Sequence, residues 1–196
     1  VMATSFLQVY KLEVSDLSLF INTIINLIGS SELITIASFN FFSIINCYQT
    51  LSYDDVNVVS DYFIGAITSG SIPIELQSSS LKILSTFESC PALFNKLVGI
   101  HQMIPDQLLA FYFSIFLTNH QININLAIDE YQEFIQFIMS KVSACDDCIK
   151  EISQDQSKLD GNDELQLILY NNVILKGSAS NLLLYISFYI PNNVNF

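Results

Sequence analysis

Two copies of a six-residue pattern, 42 residues apart, constrain the fold of this chain more than any other feature. The first copy, Ser-Phe-Asn-Phe-Phe-Ser, occupies residues 38–43, and the second, Ser-Leu-Lys-Ile-Leu-Ser, occupies residues 80–85. Each copy lies in the middle of an apolar segment of helix length. A period of about 40–47 residues is typical of chains built from packed sets of two or three helices. The pattern therefore predicts an all-α fold of stacked helical units.

A third, partial copy lies 101 residues after the second and matches it at four positions, Ser180, Leu182, Leu184 and Phe188. It falls in the stretch 176–187 (KGSASNLLLYIS), where small residues precede a packed apolar run. In these features residues 15–190 resemble the helical repeats of HEAT and armadillo proteins. The resemblance implies a short right-handed α-solenoid, whose successive helices form an extended concave binding face.

A compact, non-repetitive helical bundle stays open as an alternative to the solenoid. Typical HEAT repeats carry a Pro and an Asp or Arg at set places. This chain contains no Arg, and its prolines are unevenly spaced, at Pro73, Pro91, Pro105 and Pro191. The choice between the two folds therefore depends on the six-residue pattern alone.

The chain is predicted to form one helical-repeat domain over residues 1–196 and to be a fragment of a larger protein. Its length suffices for one sizeable core or for about four to five helical repeats. Clearly polar terminal repeats, which cap solenoids, are missing, and the sequence ends on the apolar Phe196. An exposed apolar end favours self-association or docking to a neighbouring segment. The polar stretch at about 153–163 is predicted to be a mobile loop, with a turn at Asp160-Gly161.

Capping residues, prolines and glycines predict the helix boundaries. The predicted helices lie at about 17–28, 32–48, 54–69, 73–87, 91–98, 106–118, 129–152, 164–175 and 178–190. Ser31 caps the second of these, which runs unbroken to about residue 48, and Gly177 separates the last two. The segments 9–14 and 185–190 are also compatible with strands, because they alternate or are rich in β-forming residues.

The charge balance excludes whole classes of partner. The chain carries 19 acidic side chains against 7 lysines and no Arg, for a net charge of −12. Nucleic-acid binding draws most of its affinity from Lys and Arg side chains that neutralise phosphates, so we expect no direct nucleic-acid partner. An anionic membrane surface is disfavoured for the same reason. A basic protein or peptide would be attracted, in a salt-dependent way.

Cysteine usage and hydropathy indicate an intracellular protein, cytoplasmic or nuclear. Four cysteines are present, and the sequence shows no secretory signal and no Asn-x-Ser/Thr acceptor, which favours free thiols in a reducing compartment. Mean hydropathy is +0.45, and the segments 33–53 and 107–128 carry no formal charge. Polar residues interrupt both segments, and no Lys cluster flanks them. A multi-pass membrane protein is therefore the less favoured alternative.

The most pointed chemical motif is Cys-Asp-Asp-Cys at 145–148. A C-x-x-C pair makes a closed zinc site only with two further ligands, and the other cysteines and both histidines are distant in sequence. The two acidic residues between the thiols would raise thiol pKa values, which opposes redox reactivity. We therefore interpret Cys145 and Cys148 as helical cysteines, one of them partly buried.

The histidines lack a catalytic setting. His101 and His120 lie in or beside predicted loops, and no Ser or Cys nucleophile stands at a known catalytic spacing from either. We interpret both as surface or packing histidines.

Three acidic pairs are candidates for metal or acid–base chemistry: Asp54-Asp55, Asp129-Glu130 and Asp146-Asp147. The first two fall at predicted helix starts, where carboxylates cap free N–H groups and favour the helix dipole. The stretch 155–164 looks like a calcium loop, but placing Gly161 at its sixth position puts Gln156 where Asp is needed. We interpret the pairs as caps.

The sequence thus predicts a non-enzymatic interaction or scaffold module that binds a protein or peptide partner through a solenoid face. No catalytic, cofactor-binding or metal-ligating residue is predicted. The alternative function is that of a helical dimerisation or docking domain in a larger complex.

Overall fold

Helices supply the regular structure of the described residues, which in the computed structural model are 13–48, 50–70, 72–87, 91–118, 128–154 and 159–189. No strand occurs in these ranges, which confirms the predicted all-α class. Contacts between Cα atoms divide the chain into two compact units, Val1–Leu97 and Val98–Phe196. The single domain over residues 1–196 stays a prediction.

The first unit is built from helical pairs. Its elements are α1 (Val14–Leu27), α2 (Glu32–Phe42), the single-turn α3 (Ile45–Tyr48), α4 (Tyr53–Thr68) and α5 (Ile74–Ser85), and α6 (Pro91–Gly99) spans the boundary between the units. Helix α1 packs against α2, and α4 packs against α5. Contacts between α1 and α4 and between α2 and α5 join the two pairs. The fully buried Phe63 of α4 lies at this junction, with ring centroids 5.1 Å from Phe39 and 5.5 Å from Phe42 of α2.

The two copies of the six-residue pattern occupy matching places in these pairs. Helix α2 begins at Glu32 and α5 at Ile74, 42 residues later. In both copies the first, second, fourth and fifth residues are buried, the third is exposed and the last is half-buried. The last serine of each copy donates its hydroxyl to the carbonyl three residues earlier, Ser43 at 2.8 Å and Ser85 at 2.7 Å. The sequence pattern therefore marks two helices with equivalent burial.

The helix predicted over about 32–48 is interrupted. Helix α2 ends at Phe42, and α3 begins at Ile45 after a turn at Ser43 and Ile44. The N–H of Ile44 bonds the carbonyl of Phe41 at 3.2 Å, three residues back rather than four. The hydroxyl of Ser43 bonds the carbonyl of Asn40 at the same turn, a local bond of the kind that competes with the regular helix ladder.

Several predicted boundaries in the first unit are confirmed. The hydroxyl of Ser31 accepts the N–H of Ile34 at 3.3 Å and caps α2. Gly29 follows α1 and Gly70 follows α4, with φ of +91° and +60°. Residues with a side chain rarely adopt this left-handed conformation, so glycine ends both helices at low cost.

In its described residues, the second unit consists of two short 3-10 turns followed by three helices. Its elements are the turns His101–Met103 and Asp106–Leu108, then α7 (Leu109–Thr118), α8 (Ile128–Ser153) and α9 (Asp163–Tyr189). Helix α9 packs along α8 and also contacts α7. The core holds an aromatic cluster in which Phe134 of α8 lies with its ring centroid 5.2 Å from Phe116 and 6.4 Å from Tyr112 of α7.

The two helices predicted after residue 163 are one helix, so the predicted break at Gly177 is wrong. Gly177 lies in the middle of α9, and its φ is not positive. A helical Gly costs only about 1 kcal/mol relative to Ala. Packing on both sides of it outweighs that cost, because Lys176 pairs with Asp146 of α8 and Ala179 is fully buried. The β-forming residues 185–189 belong to the same helix.

Replacement of Gly177 by Ala is expected to raise the free energy of unfolding by about 0.5–1 kcal/mol, since a helical Gly→Ala change removes unfolded-state entropy. A Cβ at this position meets no atom within 4 Å. Gly29→Ala is the matched control and should lower the same free energy by about 1 kcal/mol, because its φ is +91°. Urea unfolding of dilute protein, followed by circular dichroism, measures both. If both variants shift the free energy of unfolding by the same amount in the same direction, Gly177 is not a helical residue in the middle of α9.

The uncharged segments that prompted the membrane alternative belong to short elements. Residues 33–53 are divided among α2, α3 and the start of α4, and residues 107–118 form the second 3-10 turn and α7. Across the described ranges, no helix joins enough length to enough apolar character to cross a membrane. His120 and the predicted loop around it, at 119–127, lie outside the described residues.

Candidate functional site

The most unusual surface in the described part of the chain is the outer side of α9. Its residues recur at alternating steps of three and four, and all seven are exposed: Leu167, Tyr170, Ile174, Gly177, Asn181, Leu184 and Phe188. We call this set the outer stripe. Steps of three and four keep side chains on one face of a helix, in the a and d positions of a heptad. The outer stripe is therefore one continuous, mostly apolar line along α9.

Helix α9 is apolar on its opposite side as well. Ala179, Leu182 and Ile186 are fully buried in the unit core, and they lie about half a helical turn around from the outer stripe. A helix that is apolar all round is normally buried on all sides. In the outer stripe, however, Tyr170 is 62% exposed and Phe188 is 77% exposed. The outer stripe is therefore as apolar as a buried helix face, yet no segment that the structure describes covers it.

The outer stripe carries no charge. Between residues 165 and 189, Lys176 is the one charged residue, and its ammonium pairs with Asp146 on α8. The hydrogen bond from Lys176 holds the pKa of the Asp146 carboxyl below its usual value. This ion pair links α9 to α8 at the surface and does not belong to the outer stripe.

A groove of about 810 Å³ runs beside the amino-terminal half of α9, between that helix, α7 and α8. Its apolar walls come from Phe111 of α7 and from Ile168 and Leu175 of α9. Tyr170 and Ile174 of the outer stripe also line it. The groove and the outer stripe therefore share an edge, and an apolar partner on the stripe would meet both.

The charged pair at the groove is internally satisfied. The Lys141 ammonium lies 2.8 Å from the Asp106 carboxylate and 5.4 Å from the centroid of the Phe137 ring. A lysine held by a carboxylate and an aromatic face is a positioned structural group. The groove thus presents mainly apolar and amide surface to a ligand.

The two cysteines of the C-D-D-C motif lie on α8, one turn apart. Cys145 is buried, Cys148 is half-buried, and both are free thiols. Burial, with smaller contributions from Cys148 and Asp146, raises the pKa of the Cys145 thiol. A thiol with a raised pKa is a poor nucleophile and a poor metal ligand at neutral pH. In the described residues, no group of three or more His, Cys, Asp or Glu side chains is placed to hold a metal ion.

His101 is a packing histidine, as interpreted from the sequence. It is 6% exposed, and its ring centroid lies 4.9 Å from Phe137 and 5.6 Å from Phe134. Its Nδ1 lies 2.7 Å from the carbonyl oxygen of Val98. His101 does not line the groove, so the structure does not join it to Cys145.

The first acidic pair acts as a cap, as the sequence predicted. Asp55 is 3% exposed and sits at the third position of α4. It forms a capping box with Ser52, whose backbone N–H and hydroxyl both donate to the carboxylate, at 3.3 and 2.6 Å. The hydroxyl of Ser18 on α1 donates to the same carboxylate at 2.6 Å. Asp55 therefore also ties two helices together, which local sequence reasoning did not predict.

The other acidic candidates fall in different settings. Asp146 and Asp147 lie within α8 rather than at its start. Asp129 and Glu130 lie in the first turn of α8. Residues 155–158 lie outside the described ranges, and Gly161 occupies a turn with φ of +80°. Asp146 and Asp147, on α8, are not part of the outer stripe.

Sequence reasoning missed the outer stripe because Gly177 was expected to end a helix. The signal was present, since residues 167 to 188 show the alternating three-and-four spacing. A second apolar series at 179, 182 and 186 overlaps it and hides the periodicity.

Comparison with protein-family models, curated proteins and solved structures finds no match to this chain.

Proposed function

We propose that this chain is a non-enzymatic interaction module that binds a protein or peptide partner through the outer stripe of α9. The observation that carries the proposal is the uncovered apolar line from Leu167 to Phe188 on a well-packed helix. Contiguous exposed apolar surface on a globular unit marks a site of interaction. A role as a docking domain in a larger complex is the same proposal with a permanent partner.

The architecture we propose for the module is a short right-handed stack of HEAT- or armadillo-like helical repeats. Three features of the first unit support it: the pairing of α1 with α2 and of α4 with α5, the contacts between like members of the pairs, and the equal burial of residues 38–43 and 80–85. The amide of Asn46 adds a link to the carbonyl of Thr86, 40 residues further on, at 2.9 Å. Stacked repeats contact their neighbours in this way.

The third copy of the pattern supports the use of α9 as a binding face. Leu184 and Phe188 match Ile83 and Phe87 in spacing. Ile83 and Phe87 are buried, whereas Leu184 is 58% exposed and Phe188 is 77% exposed. Positions that neighbouring segments cover in the first unit are thus open on α9, which is where we place the partner.

The net negative charge of the chain bears on which partners it attracts. Lys96 pairs with Asp61 at 2.7 Å, and Lys141 and Lys176 pair with other aspartates, so three of the seven lysines are already engaged within the chain, whose net charge is −12. A partner with an apolar centre fits the outer stripe, and basic groups of that partner outside the contact would be attracted by the net negative charge of the chain. The free thiols of the described cysteines support an intracellular location, cytoplasmic or nuclear. Nucleic acid and membrane remain outside the proposal.

The test is a comparison of three baits: the wild-type chain, Leu184→Glu and Gln136→Glu. Leu184→Glu places a charge in the outer stripe, whereas Gln136→Glu adds the same charge on the exposed side of α8. We expect partners to be retained by the wild type and by Gln136→Glu, and to be lost from Leu184→Glu at least about 100-fold, since an unpaired charge is costly to bury. Quantitative mass spectrometry of the captured proteins measures this.

Both variants must keep the helical circular dichroism of the wild type, which is expected because both positions are exposed. If the three baits retain the same proteins in the same amounts, an added untagged copy of the chain included, the outer stripe is not the binding face and the proposal is wrong.

A further inference from the structure

We propose that the occupant of the outer stripe is the same stripe of a second copy of this chain, paired as a parallel, in-register two-helix coiled coil. This inference rests on the proposed function and names the partner. Its basis is the heptad spacing of the seven exposed positions from Leu167 to Phe188. A partner that fills such a line side by side is itself a helix with the same spacing.

The flanks of the outer stripe permit self-association of an acidic chain. In the heptad, the positions beside the stripe are all uncharged: Gln166, Val173, Ser180 and Ser187 on one side, and Asn171, Ser178 and Tyr185 on the other. Charges at these flanking positions choose the partners of coiled coils, and like charges oppose self-pairing. A basic partner helix would find no counter-charges here, whereas a second copy meets no repulsion across the seam.

The exposed area of the outer stripe and its flank reaches the lower end of the range for specific interfaces. Aromatic side chains bury about 150–250 Å² each, and aliphatic ones less. With the exposed fractions of five stripe residues, Leu167, Tyr170, Ile174, Leu184 and Phe188, and of the flanking Val173, a pair of copies would bury at most roughly 1,200 Å², the lower bound for specific interfaces.

Asn181 decides the orientation. In a parallel, in-register pair Asn181 faces Asn181 of the other copy, and the two amides hydrogen-bond to each other. An antiparallel pair that used the whole stripe would place Asn181 opposite Ile174 or Val173 and would bury its amide without a partner. An antiparallel pair centred on Asn181 would leave Leu167 and Tyr170 uncovered. The parallel pair alone covers the whole stripe and satisfies the amide.

The experiment measures the mass of the purified chain by light scattering and sedimentation over a range of concentrations. We expect the mass to approach twice that of one chain at about 100 μM and to fall on dilution, as mass action requires. Leu184→Glu and Tyr170→Glu should each weaken the dimer at least 100-fold, and Gln136→Glu should leave it unchanged. A wild-type monomer at the highest concentration, or a dimer unaffected by both stripe variants, overturns the inference.

Orientation is read from disulfide cross-links. In a parallel pair, Leu167→Cys protein alone forms a 167–167 cross-link on mild oxidation, identified by mass spectrometry of the linked peptide. If a link forms only when Leu167→Cys protein is mixed with Phe188→Cys protein, the pair is antiparallel and the inference is overturned.

The two proposals fail separately. If the wild type is a monomer but the stripe variants lose a captured partner, the interaction module stands and the second copy is not the occupant of the outer stripe. A wild-type monomer whose three baits behave alike removes both.

Discussion

Phe134→Ala is expected to lower the free energy of unfolding of the second unit by about 3–5 kcal/mol, the range for truncating a fully buried Phe. Phe134 has no exposed surface, and its ring contacts two elements, the first 3-10 turn through His101 and α7 through Tyr112 and Phe116. Truncation would leave a cavity where α8 meets α7 and the first 3-10 turn. Because this cluster has little room to collapse, the cost should lie toward the upper end.

Urea unfolding followed by circular dichroism gives the free energy, and hydrogen exchange of α8 peptides assigns the change to the second unit. Met139→Ala on the same helix is the control, because Met139 is 46% exposed and its truncation should cost less than about 1 kcal/mol. Similar losses in the two variants would show that Phe134 does not hold the cluster together.

Asp55→Ala is expected to cost the first unit about 2–4 kcal/mol, because it removes both a capping box and buried hydrogen bonds to a charged group. The carboxylate accepts from Ser18 on α1 and from Ser52 at the start of α4. Its loss therefore loosens the contact between α1 and α4 as well as the end of α4. Asp55→Asn keeps an acceptor oxygen and should therefore lose less stability than Asp55→Ala.

The adjacent Asp54 supplies the matched control for this prediction. Asp54 is exposed, and Asp54→Ala should cost no more than about 1 kcal/mol, which is the contribution of a carboxylate to the helix dipole. Thermal and urea unfolding of Asp55→Ala, Asp55→Asn and Asp54→Ala measure how much stability each variant loses. If Asp54→Ala costs as much as Asp55→Ala, the carboxylate acts through the dipole alone and the proposed link to Ser18 is wrong.

The first unit was largely predictable from local signals. Caps and glycines such as Ser31, Gly29 and Gly70 act within one turn of the chain, so their effect is readable from neighbouring residues. The six-residue pattern predicted burial correctly, because two helices with the same spacing of apolar residues bury the same positions. The break at Ser43 was missed because serine is not a specific signal for a helix end: Ser114 and Ser140 make the same bond to the carbonyl three residues earlier within unbroken helices.

The second unit shows where local reasoning stops. Gly177 has the local signature of a helix end, yet its helix continues because contacts with α8 on either side outweigh the propensity cost. The same misplaced break concealed the candidate site, which exists only when residues 167 to 188 form one helix. The bond from Ser18 to Asp55 spans 37 residues, and no local pattern encodes such a contact.

The position of α9 after α7 and α8 in the chain has a consequence during synthesis. Helix α7 is almost wholly apolar, and its cover comes partly from α9, which ends 71 residues later. At about 5–20 residues per second, a ribosome completes α9 roughly 4 to 14 s after α7. Through that interval the nascent second unit exposes Leu109, Tyr112, Phe113 and Phe116 without their full cover. Holdase chaperones that bind apolar segments are therefore expected to engage the nascent chain at α7 and to leave it once α9 has docked.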